Sequence, residues 1–149
     1  MASTIGNATL TITVNENVKL NGQQVGSKVV QTIGSINEAS RRIFSVPTFE
    51  TEILALSSSA GAGTYITADM QYIRVTNLDD TNFVRLTFTS GSLNRYDVKL
   101  PAKRTAMFTN AGISGSAAGT SFDAFVNFDS MKAAADTAAV DVEMFVAST

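Results

Sequence analysis

Apolar and polar residues alternate with a period of two along much of the chain. In residues 8–15, Leu10, Ile12 and Val14 alternate with threonines, and residues 140–146 follow the same pattern. A period of two places the apolar residues on one face of a β-strand, whereas a helix needs a spacing of three to four. The pattern therefore predicts half-buried strands along most of the chain.

Turn-forming residues separate the predicted strands. Asn21-Gly22 is a strong hairpin signal between strands over 8–15 and 28–36, and Asn37-Glu38 predicts a turn before a strand that ends at Val46. An alanine run in 122–137 favours helix, but a loop and a short strand fit its phenylalanines better. Further strands are expected over 48–56, 70–77, 83–89, 95–100, 104–110 and 138–147, with small-residue loops over 57–64 and 111–121.

Residues 72–89 carry the clearest pattern in the chain. Two alternating runs flank the polar segment 77–82, whose Asn and Asp side chains hydrogen-bond to nearby backbone and favour a turn. We therefore expect a hairpin over 72–89. A following strand over 95–100, which Pro101 ends, extends the hairpin into an antiparallel meander.

Eight or nine strands with short turns and little helix predict an all-β fold. The expected architecture is an antiparallel β-sandwich of the jelly-roll type, and a closed barrel is the alternative. A chain of 149 residues fits a single domain over 1–149 and is long enough to bury a core. Residues 1–7 are expected to form a flexible N-terminal arm.

The low charge of the chain bears on its partners. Charged residues make up 16%, below the ~25% of ordinary domains, so the surface is either partly covered by partners or polar through Thr, Ser and Asn. A net charge of −2 argues against nucleic-acid binding. Arg41-Arg42 and the run 99–104 are expected to be edge-strand charges or protein contacts. Neither a secretory signal nor a membrane-spanning apolar run is visible, so no membrane partner and synthesis in a cytoplasm are expected.

The chain contains no Cys and no His, which removes thiolate chemistry and the commonest general base. Asp79-Asp80, with Asn77 and Asn82, offers oxygen ligands for Ca²⁺, although a turn held by Asx side chains explains the same residues. Asp123, Asp129 and Asp136 are too widely spaced to define a site.

Two pairs of carboxylates have the spacing of a strand face. Glu50 with Glu52, and Asp141 with Glu143, would suit glycoside hydrolysis, but any solvated strand face produces such pairs. The chain has three tyrosines, Tyr65, Tyr72 and Tyr96. They offer either an aromatic platform for sugars or half-buried packing.

No catalytic, cofactor-binding or metal-binding residue is predicted, and the chain is not expected to be an enzyme.

Four segments give the chain a family resemblance. "YIRVTNLDDTNFVRLTF", "LTITVNENVKLNG", "RRIFSVPTFETEIL" and "ADTAAVDVEMFVA" resemble segments of small virion structural proteins of tailed bacteriophages, especially those of marine and cyanobacterial hosts. In those proteins the segments occur in the same order along the chain as they do here, and in this chain they are spread over residues 10–147. Residues 111–121 depart from the pattern, and the family supplies no catalytic residues.

The resemblance implies a decoration or cement protein on the outside of a phage capsid. Such a protein would form a dimer or trimer and bind the major capsid protein, with contacts through residues 1–7, 57–64 and 111–121. A receptor- or glycan-binding module of a tail fibre or spike is the alternative, although the chain lacks the heptads or repetitive stalk of a fibre. A hydrolase using Glu50, Glu52 and Glu143 is a third hypothesis.

Overall fold

The computed structural model describes residues 6–90, 94–109 and 128–149, and these divide into two compact units. The first unit comprises Met1–Asn37 and the second Glu38–Thr149. Chains below about 40 residues rarely fold alone, so the first unit is too small to count as an ordinary domain. The single-domain prediction for 1–149 therefore stays a prediction. Most of the expected N-terminal arm, residues 1–5, lies outside the described residues.

The first unit is one long antiparallel hairpin, the β-ribbon. Strands β1 (Ala8–Asn15) and β4 (Lys28–Ile36) form its ladder, and β2 (Lys19–Leu20) and β3 (Gln23–Gln24) form its tip. Both long strands match their predicted bounds. The predicted Asn21-Gly22 turn is confirmed as well, and its residues have φ of 49° and 85°, as a type I′ turn requires.

The second unit is a two-layer sandwich of nine strands. A single turn of 3-10 helix, Thr67–Asp69, is the one helical element among the described residues. The strands are β5 (Glu38–Val46), β6 (Thr51–Ser57), β7 (Thr64–Ile66), β8 (Met70–Asn77), β9 (Val84–Ser90), β10 (Asn94–Leu100), β11 (Thr105–Thr109), β12 (Ser130–Ala135) and β13 (Val140–Ser148).

These strands form two sheets that pack face to face. The front sheet has the order β11-β8-β13-β5, and the back sheet has the order β10-β9-β12-β6-β7. All pairs are antiparallel except β6 with β7, and the chain passes repeatedly from one sheet to the other, as in a jelly roll. The predicted all-β antiparallel sandwich is confirmed. The described residues contain thirteen strands rather than eight or nine; three of the thirteen, β2, β3 and β7, have only two or three residues.

The predicted hairpin over 72–89 is wrong. Strand β8 pairs with β11 and β13 in the front sheet, whereas β9 pairs with β10 and β12 in the back sheet. The polar segment 77–82 carries the chain across the core instead of turning it back on its neighbour. Of the predicted meander, only the β9–β10 pair exists. Alternation shows which side chains face a core, but it does not show whether two such strands lie side by side or face each other.

Other predicted elements agree with the structure. The strand predicted over 138–147 is β13, which has partners on both edges. The alanine run forms strand β12 rather than a helix, and β6 begins at Thr51, three residues later than predicted. The predicted 111–121 loop lies outside the described residues.

The core lies between the two sheets and has Phe88 near its centre. Val84, Leu86 and Phe88 of β9 are all buried, as their alternation predicts. The Phe88 ring lies 4.9 Å from the Phe108 ring and 5.2 Å from the Phe128 ring, measured between centroids. These contacts join the back sheet to the front sheet, since Phe108 belongs to β11.

Replacing Phe88 with alanine should therefore destabilise the sandwich strongly. Phe88→Ala is expected to lower the free energy of unfolding by about 3–5 kcal/mol, because a buried aromatic ring is lost and a cavity remains. Denaturant titration followed by circular dichroism measures this. Tyr96→Ala is the matched control: its ring contacts Phe88 at 6.2 Å but is half exposed, so the loss should be much smaller. Equal losses in the two variants would contradict the assignment of the core.

Candidate interaction surface

The β-ribbon has one aliphatic face. In an antiparallel ladder, residues opposite each other project to the same side, so the register of β1 and β4 determines which side chains share a face. One side carries five aliphatic residues and one glutamine, and this side is called the aliphatic face. Its cross-strand pairs are Leu10–Ile33, Ile12–Gln31 and Val14–Val29.

The opposite face of the ribbon is mainly polar. Its cross-strand pairs are Thr11–Thr32, Thr13–Val30 and Asn15–Lys28. Threonine suits this position because it is β-branched and also hydrogen-bonds to water. The ribbon is therefore amphipathic, although it has only two strands.

The ribbon tip, residues 16–27, exposes three large apolar side chains. Val18, Leu20 and Val25 are 51%, 61% and 58% exposed. The Val25 amide donates to the Val18 carbonyl at 2.9 Å and holds the tip together. Gly26 is required nearby, because a Cβ atom there would lie 1.9 Å from the Glu16 carbonyl oxygen.

The ribbon has no core of its own. Among described residues 6–37, Ile36 is the one buried side chain. Only Glu16, Lys19 and Lys28 are charged in this unit, out of 24 charged residues in the chain. A two-stranded hairpin is marginally stable in water, and protein interfaces are depleted in charge at their centres. The aliphatic face and the tip are therefore the candidate interaction surface.

The segment 77–82 is an Asx-type turn, as predicted. Asn77 is fully buried; its Oδ1 accepts from the Asp79 amide at 2.9 Å, and its Nδ2 donates to the Asn82 carbonyl at 2.9 Å. Asp79 Oδ1 accepts from the amides of Asn82 at 2.6 Å and Thr81 at 2.7 Å, and these bonds lower the pKa of Asp79. These side-chain oxygens are thus already occupied by the turn.

An open cleft of about 360 Å³ lies beside this turn. Lys103 Nζ donates to the Leu78 carbonyl at 2.7 Å and closes one side. Within the described ranges, no group of three or more acidic side chains is arranged to hold a metal ion. The cleft also lacks the enclosed apolar walls of a small-molecule site. Its lining residues are Leu78, Asp79, Asp80, Lys103, Ala139 and Asp141.

Contrary to the prediction from the sequence pattern, Glu50 and Glu52 do not both belong to a strand. Glu50 precedes β6, and its carboxylate is the acceptor for three cations of the back sheet. The distances from Glu50 are 2.8 Å to Arg95, 3.3 Å to Arg85 and 3.8 Å to Lys132. A carboxylate held by three cations is a structural anchor for the loop between β5 and β6.

Asp141 and Glu143 share the outer face of β13, as predicted, but their environments differ. Glu143 is buried and bridges two strands: Arg41 Nε donates to its Oε2 at 2.9 Å, and Arg74 donates to its Oε1. The hydrogen bonds from Arg41 and then Arg74 lower the pKa of Glu143. A lowered pKa favours the ionised carboxylate, whereas a general acid that works near neutral pH needs a raised one.

The three tyrosines do not form one platform. Tyr65 in β7 shares a hydrogen bond of 2.6 Å with Ser40 in β5, which links the two sheets. Tyr72 is buried beside Phe145 on the outer face of the front sheet, and burial raises the pKa of Tyr72. Tyr96 lies on β10 of the back sheet. Tyr72 belongs to the front sheet, and Tyr65 and Tyr96 belong to opposite edge strands of the back sheet, so the three rings are not neighbours.

The basic residues hold the sandwich together. Arg42 of the edge strand β5 donates to the Ile53 carbonyl of β6 and lies over the Phe44 ring at 5.3 Å. Lys99 lies 4.2 Å from the centre of the Phe83 ring. The expectation of edge-strand charges for Arg41-Arg42 is confirmed, because β5 ends the front sheet.

The remaining acidic candidates form no cluster in the described structure. Asp136 accepts from the Thr137 amide at 2.7 Å, the Asp129 amide donates to the Thr89 carbonyl, and Asp123 lies outside the described residues. None of the described helical segments is long and apolar enough to cross a membrane.

Comparisons with known proteins add little to this description. No family model and no curated protein matches the chain. A solved structure described as "Bacillus endospore appendages form a novel family of disulfide-linked pili" aligns with 100% of this chain and 96% of its own, with a TM-score of 0.47 and 13% sequence identity. A likeness at this level carries no argument about function.

Sequence reasoning missed that the ribbon is a unit without a core. The signal was present, because the first 37 residues hold only three charges and end in a β4 strand with an imperfect alternation, Val29-Val30 followed by Gln31. Charged residues are therefore scarcer in the first unit than in the rest of the chain.

Removing the carboxylate of Glu143 should make the sandwich less stable and change its response to acid. The folded-state pKa of Glu143 lies below its ordinary value of 4.5, so its contribution is complete above pH 4.5 and is lost as the pH falls through the folded value. Glu143→Gln is therefore expected to unfold at a lower temperature than the parent at pH 7, with a gap that closes in acid. Thermal unfolding at several pH values measures this.

Asp141→Asn is the control for this measurement. Asp141 lies on the same strand face but forms no ion pair among the described residues, so its replacement should leave the pH profile close to that of the parent. A constant gap between Glu143→Gln and the parent from pH 7 into acid would contradict the role given to the two arginines.

Proposed function

We propose that this chain is a virion structural protein of a tailed phage, in particular a homo-oligomeric decoration or cement protein of the capsid. One observation carries the proposal: a compact sandwich is joined to a charge-poor β-ribbon that has no core of its own. A ribbon of this kind gains little stability from its own two strands, and it is suited to binding other subunits. The sequence resemblance to phage virion proteins supports the same assignment.

The sandwich supplies the rigidity that such a role requires. On the back sheet, Glu50 joins Arg85, Arg95 and Lys132, and on the front sheet Glu143 joins two arginines. These seven charged residues therefore stabilise the subunit itself. The charge-poor surface of the ribbon remains for partners, and this arrangement favours a structural protein over an enzyme.

The ribbon tip is the part that we assign to the shell. Val18, Leu20 and Val25 give it three exposed aliphatic side chains within eight residues. Its partner in this proposal is the major capsid protein, and neither nucleic acid nor membrane is involved. Repetition over a symmetric shell multiplies a small contact, so a modest apolar tip is sufficient. The protein would be made in the host cytoplasm and reside in the virion.

A second candidate is a receptor- or glycan-binding module of a tail fibre or spike. Phe49, in the loop between β5 and β6, is 69% exposed, and exposed aromatic rings are what such a module uses to stack on sugars. It is a single ring without a neighbouring tyrosine platform, so the shell remains the first proposal.

Immunoelectron microscopy of virions tests the proposal directly. Antibodies against the purified protein should label the outside of the head at regularly repeated positions. Labelling confined to the tail tip would support the fibre module instead, and virions without label would overturn both.

The role of the tip has its own test. Leu20→Ser should reduce binding of the protein to purified heads that lack it, because an exposed aliphatic contact is removed. Gln23→Ser is the matched control, since Gln23 lies directly opposite Leu20 in the β2–β3 pair and contributes no comparable apolar surface. Co-sedimentation with heads measures both variants. Equal binding by Leu20→Ser and Gln23→Ser would remove the tip from the contact.

A further inference from the structure

Among the residues that the structure describes, none fully covers the aliphatic face of the ribbon. Val29 is 58% exposed, and Leu10, Ile12, Val14 and Ile33 are only half-buried. Two-stranded sheets of this kind become stable when a further layer covers their apolar side. An exposed apolar face of this kind is a candidate contact surface.

The chemistry of the face favours a second copy of this chain as the occupant. The β1–β4 ladder contains one charged residue, Lys28, and it lies on the opposite face with Asn15. Two aliphatic faces can therefore meet without repulsion between like charges. A partner with a charged surface would find nothing here to pair with.

The middle of the face is self-complementary. Its central row is Ile12–Gln31, with one aliphatic pair on each side of it. A glutamine amide is both donor and acceptor, so it can hydrogen-bond to the same amide of an identical chain. An apolar partner would leave that amide unsatisfied when buried, which costs about 1–3 kcal/mol.

We propose that the aliphatic face packs against the same face of a second copy, about a two-fold axis through the Ile12–Gln31 row. Each contact then occurs twice, as in an isologous interface. The inference rests on the proposed function, because it identifies the surface through which the homo-oligomer forms. It also leaves the ribbon tips free for the shell.

The size of the face determines how strong this association is. A ladder of eight residues is roughly 27 Å long and about 10 Å wide, or some ~270 Å² per copy, against the ~800 Å² that each partner buries in a standard interface. The dimer is therefore weak and depends on concentration. On a shell, where subunits are held close together, the same contact is effective.

Sedimentation equilibrium of the full chain tests the face. Ile12→Glu should weaken self-association at least about tenfold, because it buries two like charges beside the axis. Thr13→Glu is the matched control, since it adds the same charge to the same strand on the opposite face, and it should associate like the parent. Equal association of Ile12→Glu and Thr13→Glu, or a parent that stays monomeric at high concentration, would overturn the inference.

Cross-linking separates face packing from edge pairing without disturbing the fold. The chain has no cysteine, so Ile12→Cys places one thiol on the face, and Thr13→Cys places one on the opposite side. Packed sheets lie about 10 Å apart, beyond the ~4.4–6.8 Å between Cα atoms that a disulfide spans. Ile12→Cys should therefore give dimers with a short bismaleimide but none by oxidation, and Thr13→Cys should give neither. Rapid oxidation of both variants to disulfide dimers would show that strand edges pair instead.

The outcomes separate this inference from the proposed function. Virions that carry the protein, together with unchanged association of Ile12→Glu, overturn the two-fold face and leave the virion role intact. Unlabelled virions, together with weakened association of Ile12→Glu alone, overturn the virion role and support the two-fold face as a contact between copies.

Discussion

Packing of alternating apolar side chains between two sheets is the interaction on which the sandwich depends. Val84, Leu86 and Phe88 from the back sheet meet Ile73 and Val75 from the front sheet, and all five are essentially inaccessible to water. Because each strand has an apolar face, these side chains are removed from water only when the two sheets pack against each other, and that burial stabilises the fold. The turn over residues 77–82 has to pass from one sheet to the other for this to happen.

Charge in the sandwich is used to stabilise the subunit. Glu50 and Glu143 each take up two or more cations from neighbouring strands, which gives the outer faces fixed polar networks. The acidic pairs that suggest hydrolysis acquire other roles in the fold: Glu50 lies outside strand β6 and pairs with three cations, and Glu143 pairs with two arginines that Asp141 lacks. The ribbon has the opposite character, with apolar side chains that nothing inside its own unit covers.

Local sequence pattern predicted the bounds of several strands but not all of their partners. Strands β1, β4 and β8 match their predicted bounds, because alternation and the Asn-Gly turn act within a few residues. The pairing of β8 with β9 was predicted from the same kind of pattern and is wrong, since partners along a sheet are chosen by residues far away in the chain. Of the candidate interaction surface, the amphipathic strands were predictable, whereas the lack of a core beneath them was not.

By itself, the sequence determined that the chain is all β, which residues face inward on most strands, and where several turns lie. Those properties follow from backbone geometry and from side chains a few positions apart. Only the tertiary structure decided which strands became neighbours, which carboxylates acquired arginine partners, and that residues 8–36 form a separate ribbon. Each of these depends on contacts between segments that are distant in the chain. The burial of a side chain is likewise set by the assembled sheets and not by any single segment of the sequence.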